Sequence, residues 1–167
     1  MSSGDYERTF VRIFAQTDHW WAQRAAASGS ATEADLPDAT LAHDGLAFAT
    51  EMKTSGSAYI YLDEAEVQAL QRYAAAYGMI SLVVGRFKGE RAFYVWNPAD
   101  MDRTDSGKYR GMADDGNWSV KIAHPEGSAD GVEPGDLSSI ALRHAVAGQL
   151  AMGMTEAPPN DEVAADV

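Results

Sequence analysis

No cysteine occurs in the 167 residues, which excludes disulfides, zinc–thiolate centres and thiol nucleophiles together. No apolar run approaches the roughly 20 residues that span a bilayer. Met1–Tyr6 is polar and acidic, without the basic start and apolar stretch of a secretory leader. The expectation is a soluble, cytoplasmic chain. Positive charge is scarce as well: 13 Lys+Arg face 25 Asp+Glu, a formal net charge of −12. Taken alone, that balance speaks against nucleic acid, whose phosphates repel an acidic surface. The length suits one domain, and folding at this size buries about 70% of the chain's surface, so the core needs no staples.

The acid excess is uneven. Residues 1–123 hold 17 acids and 12 bases, a net of −5, whereas residues 124–167 hold 8 acids and one base, Arg143, a net of −7. With four Lys against nine Arg, this is the balance expected of a halophilic protein, because molar salt screens repulsion to about 3 Å. The expected organisation is one folded domain over 1–123, a Pro/Gly/acid-rich linker over 124–135, an Asp136-capped helix over 136–152, and a disordered acidic tail over 153–167.

Within the domain, Tyr6, Phe10, Ile13 and Phe14 recur at helical spacing and predict an amphipathic helix from Asp5 to about Gln16. Trp20–Ala27 is extended in character and leads into the turn-prone Ser28-Gly29-Ser30. Ala31–Leu36 reads as a loop, Ala39–Ala42 as a short apolar segment, and His43-Asp44-Gly45 as a hairpin turn. Leu46–Lys53 follows as a strand with Leu46, Phe48, Thr50 and Met52 on one face and Ala47, Ala49, Glu51 and Lys53 on the other. Thr54–Ala58 reads as a flexible Gly/Ser loop. Asp63 and Glu66 fit a capping box for a helix that Gly78 ends. Met79–Phe87 reads as a buried strand paired with Arg91–Trp96, Asp100–Gly111 as a charged loop, and Asn117–Ala123 as a last short strand. The order α-β-β-β-α-β-β is that of a mixed α/β domain with helices packed on a central sheet.

The residues that carry chemistry are Asp38, Glu51 and Lys53. Asp38 opens one strand of the hairpin and Glu51 lies near the end of the other, so the two carboxylates can meet on the sheet. Strand periodicity sets Lys53 on the same face as Glu51. Met52 points away, yet its backbone carbonyl faces the site as a further oxygen donor. Two carboxylates and a carbonyl are hard ligands suited to Mg²⁺, with Mn²⁺ able to substitute. An ammonium beside them can stabilise charge developing on phosphorus or hold an attacking water. An ion pair between Glu51 and Lys53 at the sheet edge fits the same spacing.

Pro37-Asp38 followed by Glu51-Met52-Lys53 does not stand alone. Before it come Glu7-Arg8, then Arg24 and Ser28-Gly29-Ser30; after it come Tyr59-Ile60-Tyr61-Leu62, the helix over 63–77, Arg86-Phe87-Lys88 and Arg103-Thr104-Asp105-Ser106-Gly107-Lys108-Tyr109. This ordered set resembles the archaeal Holliday junction resolvases (Hjc-type) of the PD-(D/E)xK nuclease superfamily. The resemblance implies a restriction-endonuclease-like fold, a mixed central β-sheet flanked by helices. It implies a metal held by Asp38, Glu51, the Met52 carbonyl and the helix-borne Glu7. It also implies Lys53 as catalytic lysine, with Ser28 close to the scissile phosphate. Arg24, Ser30, Arg86, Lys88, Arg103, Lys108 and Arg110 would contact DNA.

By the same resemblance the chain would act as a homodimer on four-way DNA junctions, making paired Mg²⁺-dependent nicks in an archaeal cell or a virus-infected archaeal host. Tyr73, Tyr77 and the strand over 79–87 are candidates for the dimer surface, or equally for the monomer core. Two features depart from the family pattern. Ser2-Ser3-Gly4-Asp5 supplies no base before the first helix, and Glu33 and Asp35 stand where bases are usual. Two other functions fit the same residues: a related nuclease cutting linear DNA in restriction or repair, and a non-catalytic junction-binding protein. His19, His43, His124 and His144 have no metal-type spacing, and Gly107-Lys108 lacks the spaced Gly and following Ser/Thr of a phosphate-binding loop.

Overall fold

The computed structural model describes residues 2–18, 20–25, 36–43, 45–114, 118 and 120–123. Ser28, Ser30 and the linker, helix and tail expected after residue 123 lie outside the described residues. Helix α1 (Ser3–Ala15) leads into β1 (Trp20–Arg24), β2 (Ala39–His43), β3 (Leu46–Ser55) and β4 (Tyr59–Leu62). Helix α2 (Glu64–Tyr77) follows, then β5 (Ile80–Phe87), β6 (Ala92–Trp96), β7 (Asp102–Arg103), β8 (Tyr109–Met112) and β9 (Val120–Ala123).

The main sheet runs β1-β2-β3-β5-β6-β9. Its neighbours are antiparallel except β3 and β5, which are parallel because α2 carries the chain across between them. Such a buried central strand reads as an unbroken apolar run, and β5 is buried at every position except Arg86. The alternation expected in β3 is realised. Phe48 and Met52 pack with Phe10, Ile13 and Phe14 of α1, while Ala49 joins the core under α2 with Val67, Leu70 and Ala74. The sheet is therefore covered on both faces.

Asp63 caps α2 from an extended conformation, and the Glu66 carboxylate accepts its backbone N–H at 2.8 Å. Gly78 ends the helix at φ +66°, the left-handed conformation that glycine adopts without steric penalty. The capping box is present as expected.

Two segments expected as loops are strand. β3 runs on through Ser55, because Lys53–Ser55 stay in register with Gly85–Phe87 of β5. The segment Asp100–Gly111 holds β7 and β8, which join β4 in a second sheet of order β4-β8-β7. The turn between them is closed by Thr104 N–H to Lys108 O at 2.9 Å and by Gly107 at φ +85°. These strands are two and four residues long and mostly polar, so no apolar alternation marks them; their partners across the sheet define them.

Trp96 joins the two sheets. Its indole is fully buried between two glycines: a Cβ added at Gly85 would stand 2.6 Å from Trp96 Cζ3, and one at Gly111 3.0 Å from Cε2. Gly85 is also the register partner of Lys53, so this packing backs the strand that carries the site. Because the ring is rigid, Gly85→Ala should cost about 1–3 kcal/mol by overpacking, read as a lower midpoint in urea unfolding. Gly56→Ala, where nothing lies within 4 Å, should stay within about 0.5 kcal/mol.

Candidate active site

The site is built where β2 begins. Asp38 precedes the first residue of β2, yet its main chain is bonded to the segments of both neighbouring strands. Its N–H donates to Thr50 O at 2.9 Å, and its carbonyl accepts the Ala25 N–H at 3.0 Å. Its carboxylate Oδ2 accepts the Met52 N–H at 2.7 Å. The antiparallel register ends at Ala39 and Thr50, and the Asp38 N–H bonds to the carbonyl of that same Thr50, one step out of register, so Asp38 sits just past the ladder's end. Its carboxylate and that of Glu51 line a cleft of about 390 Å³ with Pro37, Ala65, Glu66 and Ala69.

Lys53 lies one pleat further along the same face of β3. Its Nζ is 3.7 Å from Glu51 Oε1 and 2.5 Å from Glu66 Oε1 of α2. Glu66 is the site neighbour that sequence reasoning missed. Its role in the capping box accounts for its identity, and nothing in the local pattern tells that its second oxygen meets a lysine on another element.

Glu7 approaches from the other side of the sheet. Arg24 pairs with Ala39 and so shares the face of α1, where its guanidinium donates to Glu7 Oε2 at 2.8 Å. Among the described residues no group of three or more Asp, Glu, His or Cys is gathered closely enough to hold a metal ion. Glu7 acts on the other two carboxylates through space, raising the pKa of both Asp38 and Glu51.

Burial first, and then the neighbouring carboxylates, disfavour ionisation of this pair. Burial lifts Asp38, against the opposing Met52 N–H, with Glu7 adding to the rise. Glu51 is pushed up to about 7 by burial and by Asp38, with Lys53 only partly offsetting them. For Lys53 burial pulls the ammonium down, but Glu66, Glu51 and Asp38 together outweigh it and hold its pKa above the ordinary value. The lysine is thus a fixed positive charge beside two carboxylates whose repulsion it does not cancel. A divalent cation would relieve that repulsion, and Mg²⁺ is commonly held by one or two carboxylates with waters filling the rest of its shell. In an extended strand the N–H and C=O of one residue leave on the same edge, so the Met52 carbonyl faces the side where its N–H meets Asp38. The donor set fits a hard divalent ion.

The basic residues expected at DNA divide into two groups. Arg86 is half-buried, with its guanidinium 5.2 Å from the Tyr6 ring centroid, 5.3 Å from that of Phe93, and Nη1 donating to Ala92 O at 3.0 Å. That placement welds α1 to the sheet. Lys88 is exposed on the β5–β6 turn. Arg103, Lys108 and Arg110 lie on the small sheet beside Glu64, Asp63 and Asp102 at 3.5, 3.4 and 3.7 Å. Of the candidate dimer residues, Tyr77 is 66% exposed and stacks on the partly buried Tyr73, whereas β5 is core.

A mixed sheet covered by helices on both faces, with two carboxylates and a lysine at the ends of its interior strands β2 and β3, defines the restriction-endonuclease-like class. A family model described as archaeal Holliday junction resolvase (Hjc) matches residues 3–123. The chain belongs to the archaeal Holliday junction resolvase family, and as such is a junction-resolving endonuclease. Among solved structures it is similar to that of Archaeoglobus fulgidus Hjc, a Holliday junction resolvase from an archaeal hyperthermophile. The TM-score is 0.60 at 18% identity, covering 72% of this chain and 94% of that one. No curated protein matches the chain.

The raised Glu51 has a consequence for stability. Between its ordinary 4.5 and about 7, the folded protein holds a proton that the unfolded chain has released. Its contribution to stability therefore falls as pH rises through that window and levels off above it. Urea unfolding in EDTA should show Glu51→Gln gaining roughly 1–3 kcal/mol on the wild type between pH 4.5 and 8. Parallel pH profiles would contradict the desolvated carboxylate pair.

Proposed function

We propose that Asp38, Glu51 and the Met52 carbonyl hold a divalent ion, Mg²⁺ or Mn²⁺ in its place, and that Glu7 joins them when DNA is bound. The protein then nicks a four-way junction symmetrically as a homodimer, whose two-fold axis supplies two sites in fixed relation. The observation that carries this reading is the pair of carboxylates, Asp38 and Glu51, that line one cleft beside the charged Lys53, in a chain of the resolvase family.

When bound, the ion supplies polarisation of the phosphate and a more acidic water. The chain's own residues do the rest. The Lys53 ammonium faces the negative charge that develops on the phosphoryl oxygens, in a partly desolvated cleft where a fixed charge acts strongly. Arg24 takes a backbone phosphate as an alternative partner to Glu7, which releases that carboxylate towards Asp38 and Glu51. Ser28 and Ser30 belong to the segment that follows Arg24 and are proposed to contact the DNA beside the scissile phosphate. Lys88, Arg103, Lys108 and Arg110 bind phosphates further out. The pairs that Arg103, Lys108 and Arg110 now make are exposed and contribute about 0–1 kcal/mol each, so a phosphate displaces the carboxylates at little cost. The proposed dimer surface includes Tyr73 and Tyr77.

Asp38→Asn keeps an oxygen for the Met52 N–H and loses the charge. It should abolish Mg²⁺-dependent nicking of a labelled four-way junction while the junction is still bound. Nicking at an undiminished rate would sink the site, and a preference for linear duplex with a fixed recognition sequence would sink the substrate. Lys108→Ala should reduce the slope of log affinity against log salt by about one. Arg86→Ala should leave that slope in place and lower the melting temperature instead.

A further inference from the structure

The geometry points to Glu66 as the positioning residue of Lys53, holding its ammonium over the cleft and off the metal-binding carboxylate. The inference rests on the role proposed for Lys53 above. Glu66 occupies the third position of α2. Oε2 is tied down by the Asp63 N–H at 2.8 Å, and Oε1 receives Lys53 Nζ at 2.5 Å. One oxygen is thereby anchored to the backbone at the start of a helix, which fixes where the other can be. A lysine side chain is costly to order in lost rotamer freedom, and this carboxylate supplies a close partner that orders it.

The alternative partner is Glu51, whose Oε1 stands 3.7 Å from the same ammonium. Without Glu66, Lys53 would close on Glu51, neutralise a proposed metal ligand, and withdraw its charge from the space where a phosphate must sit. Glu66 therefore decides between a lysine that serves the phosphate and one that blocks the site. A helix cap and a site partner are combined in one side chain, and the two jobs separate by substitution. Gln can keep the capping box through its one amide oxygen, but it then turns an N–H donor towards Lys53 and no longer partners the ammonium. Asp63→Ala removes the cap and leaves the Lys53 partner in place.

The experiment measures single-turnover nicking of a four-way junction at saturating protein, junction affinity, and the rate of reductive methylation at Lys53. Glu66→Ala should nick about 10- to 100-fold more slowly, the usual loss when a residue orienting a functional group is removed. Its junction affinity should change less than about threefold. Glu66→Gln, which can keep the cap but not the lysine's partner, should share most of that deficit, and Asp63→Ala should nick within about threefold of the wild type. Methylation of Lys53 should accelerate in Glu66→Ala and Glu66→Gln and stay slow in Asp63→Ala. Should Glu66→Ala fail to fold, Glu66→Asp, one methylene too short to reach both partners, is expected to show the same deficit. A wild-type rate in Glu66→Ala, or an equal loss in Asp63→Ala, would overturn the inference. Lys53→Ala and Asp38→Asn run alongside: retained nicking in both would remove the proposed site itself, whereas their inactivity beside a fully active Glu66→Ala would remove only the role of Glu66.

Discussion

The hydrogen bond from the Met52 N–H to the Asp38 carboxylate, 2.7 Å long, is the contact on which the site depends. It takes over from the β2–β3 ladder one step beyond its last regular pair, where a main-chain acceptor would otherwise be needed. A side chain completing a ladder loses most of its freedom, so Asp38 is fixed on the strand that carries Glu51 and Lys53. The same bond partly offsets what burial does to the carboxylate. Without it, Asp38 would be an acidic residue at the mouth of a strand, free to turn to water.

The elements around this contact hold it from both sides. α1 presses on one face through Phe10, Ile13 and Phe14, and α2 on the other through Val67, Leu70 and Ala74. The parallel β3–β5 pairing sets Lys53 against Gly85, whose missing side chain admits the Trp96 ring. With rigid packing behind the strand and a capped helix above it, the lysine meets two carboxylates: Glu66 close and Glu51 further off. Electrostatics and packing act here on the same few residues.

Charge is arranged differently away from the site. Much of the acid excess lies beyond residue 123, outside the described residues. On the small sheet the bases stand in exposed ion pairs, which offset part of the local acid charge. The net charge of −12 is therefore spread unevenly along the chain.

Periodicity was enough to read α1, α2, the faces of β3 and the buried β5, because each buries a stripe or a face that local spacing displays. The capping box and Gly78 were legible for the same reason, being local backbone chemistry. Asp38, Glu51 and Lys53 could be named from their order and spacing alone, since a hairpin converts spacing into proximity. The strands β7 and β8 could not be read, because strands of two and four residues with little apolar alternation are defined by the partners they meet in the sheet. Arg86 looked like a surface base until α1 was folded over it. Glu66 looked like a cap until α2 was laid across β3. Sequence by itself determined which groups could do chemistry, through local spacing. Only the tertiary structure decided which carboxylate the lysine meets, because that distance is set by the packing of a helix on a sheet.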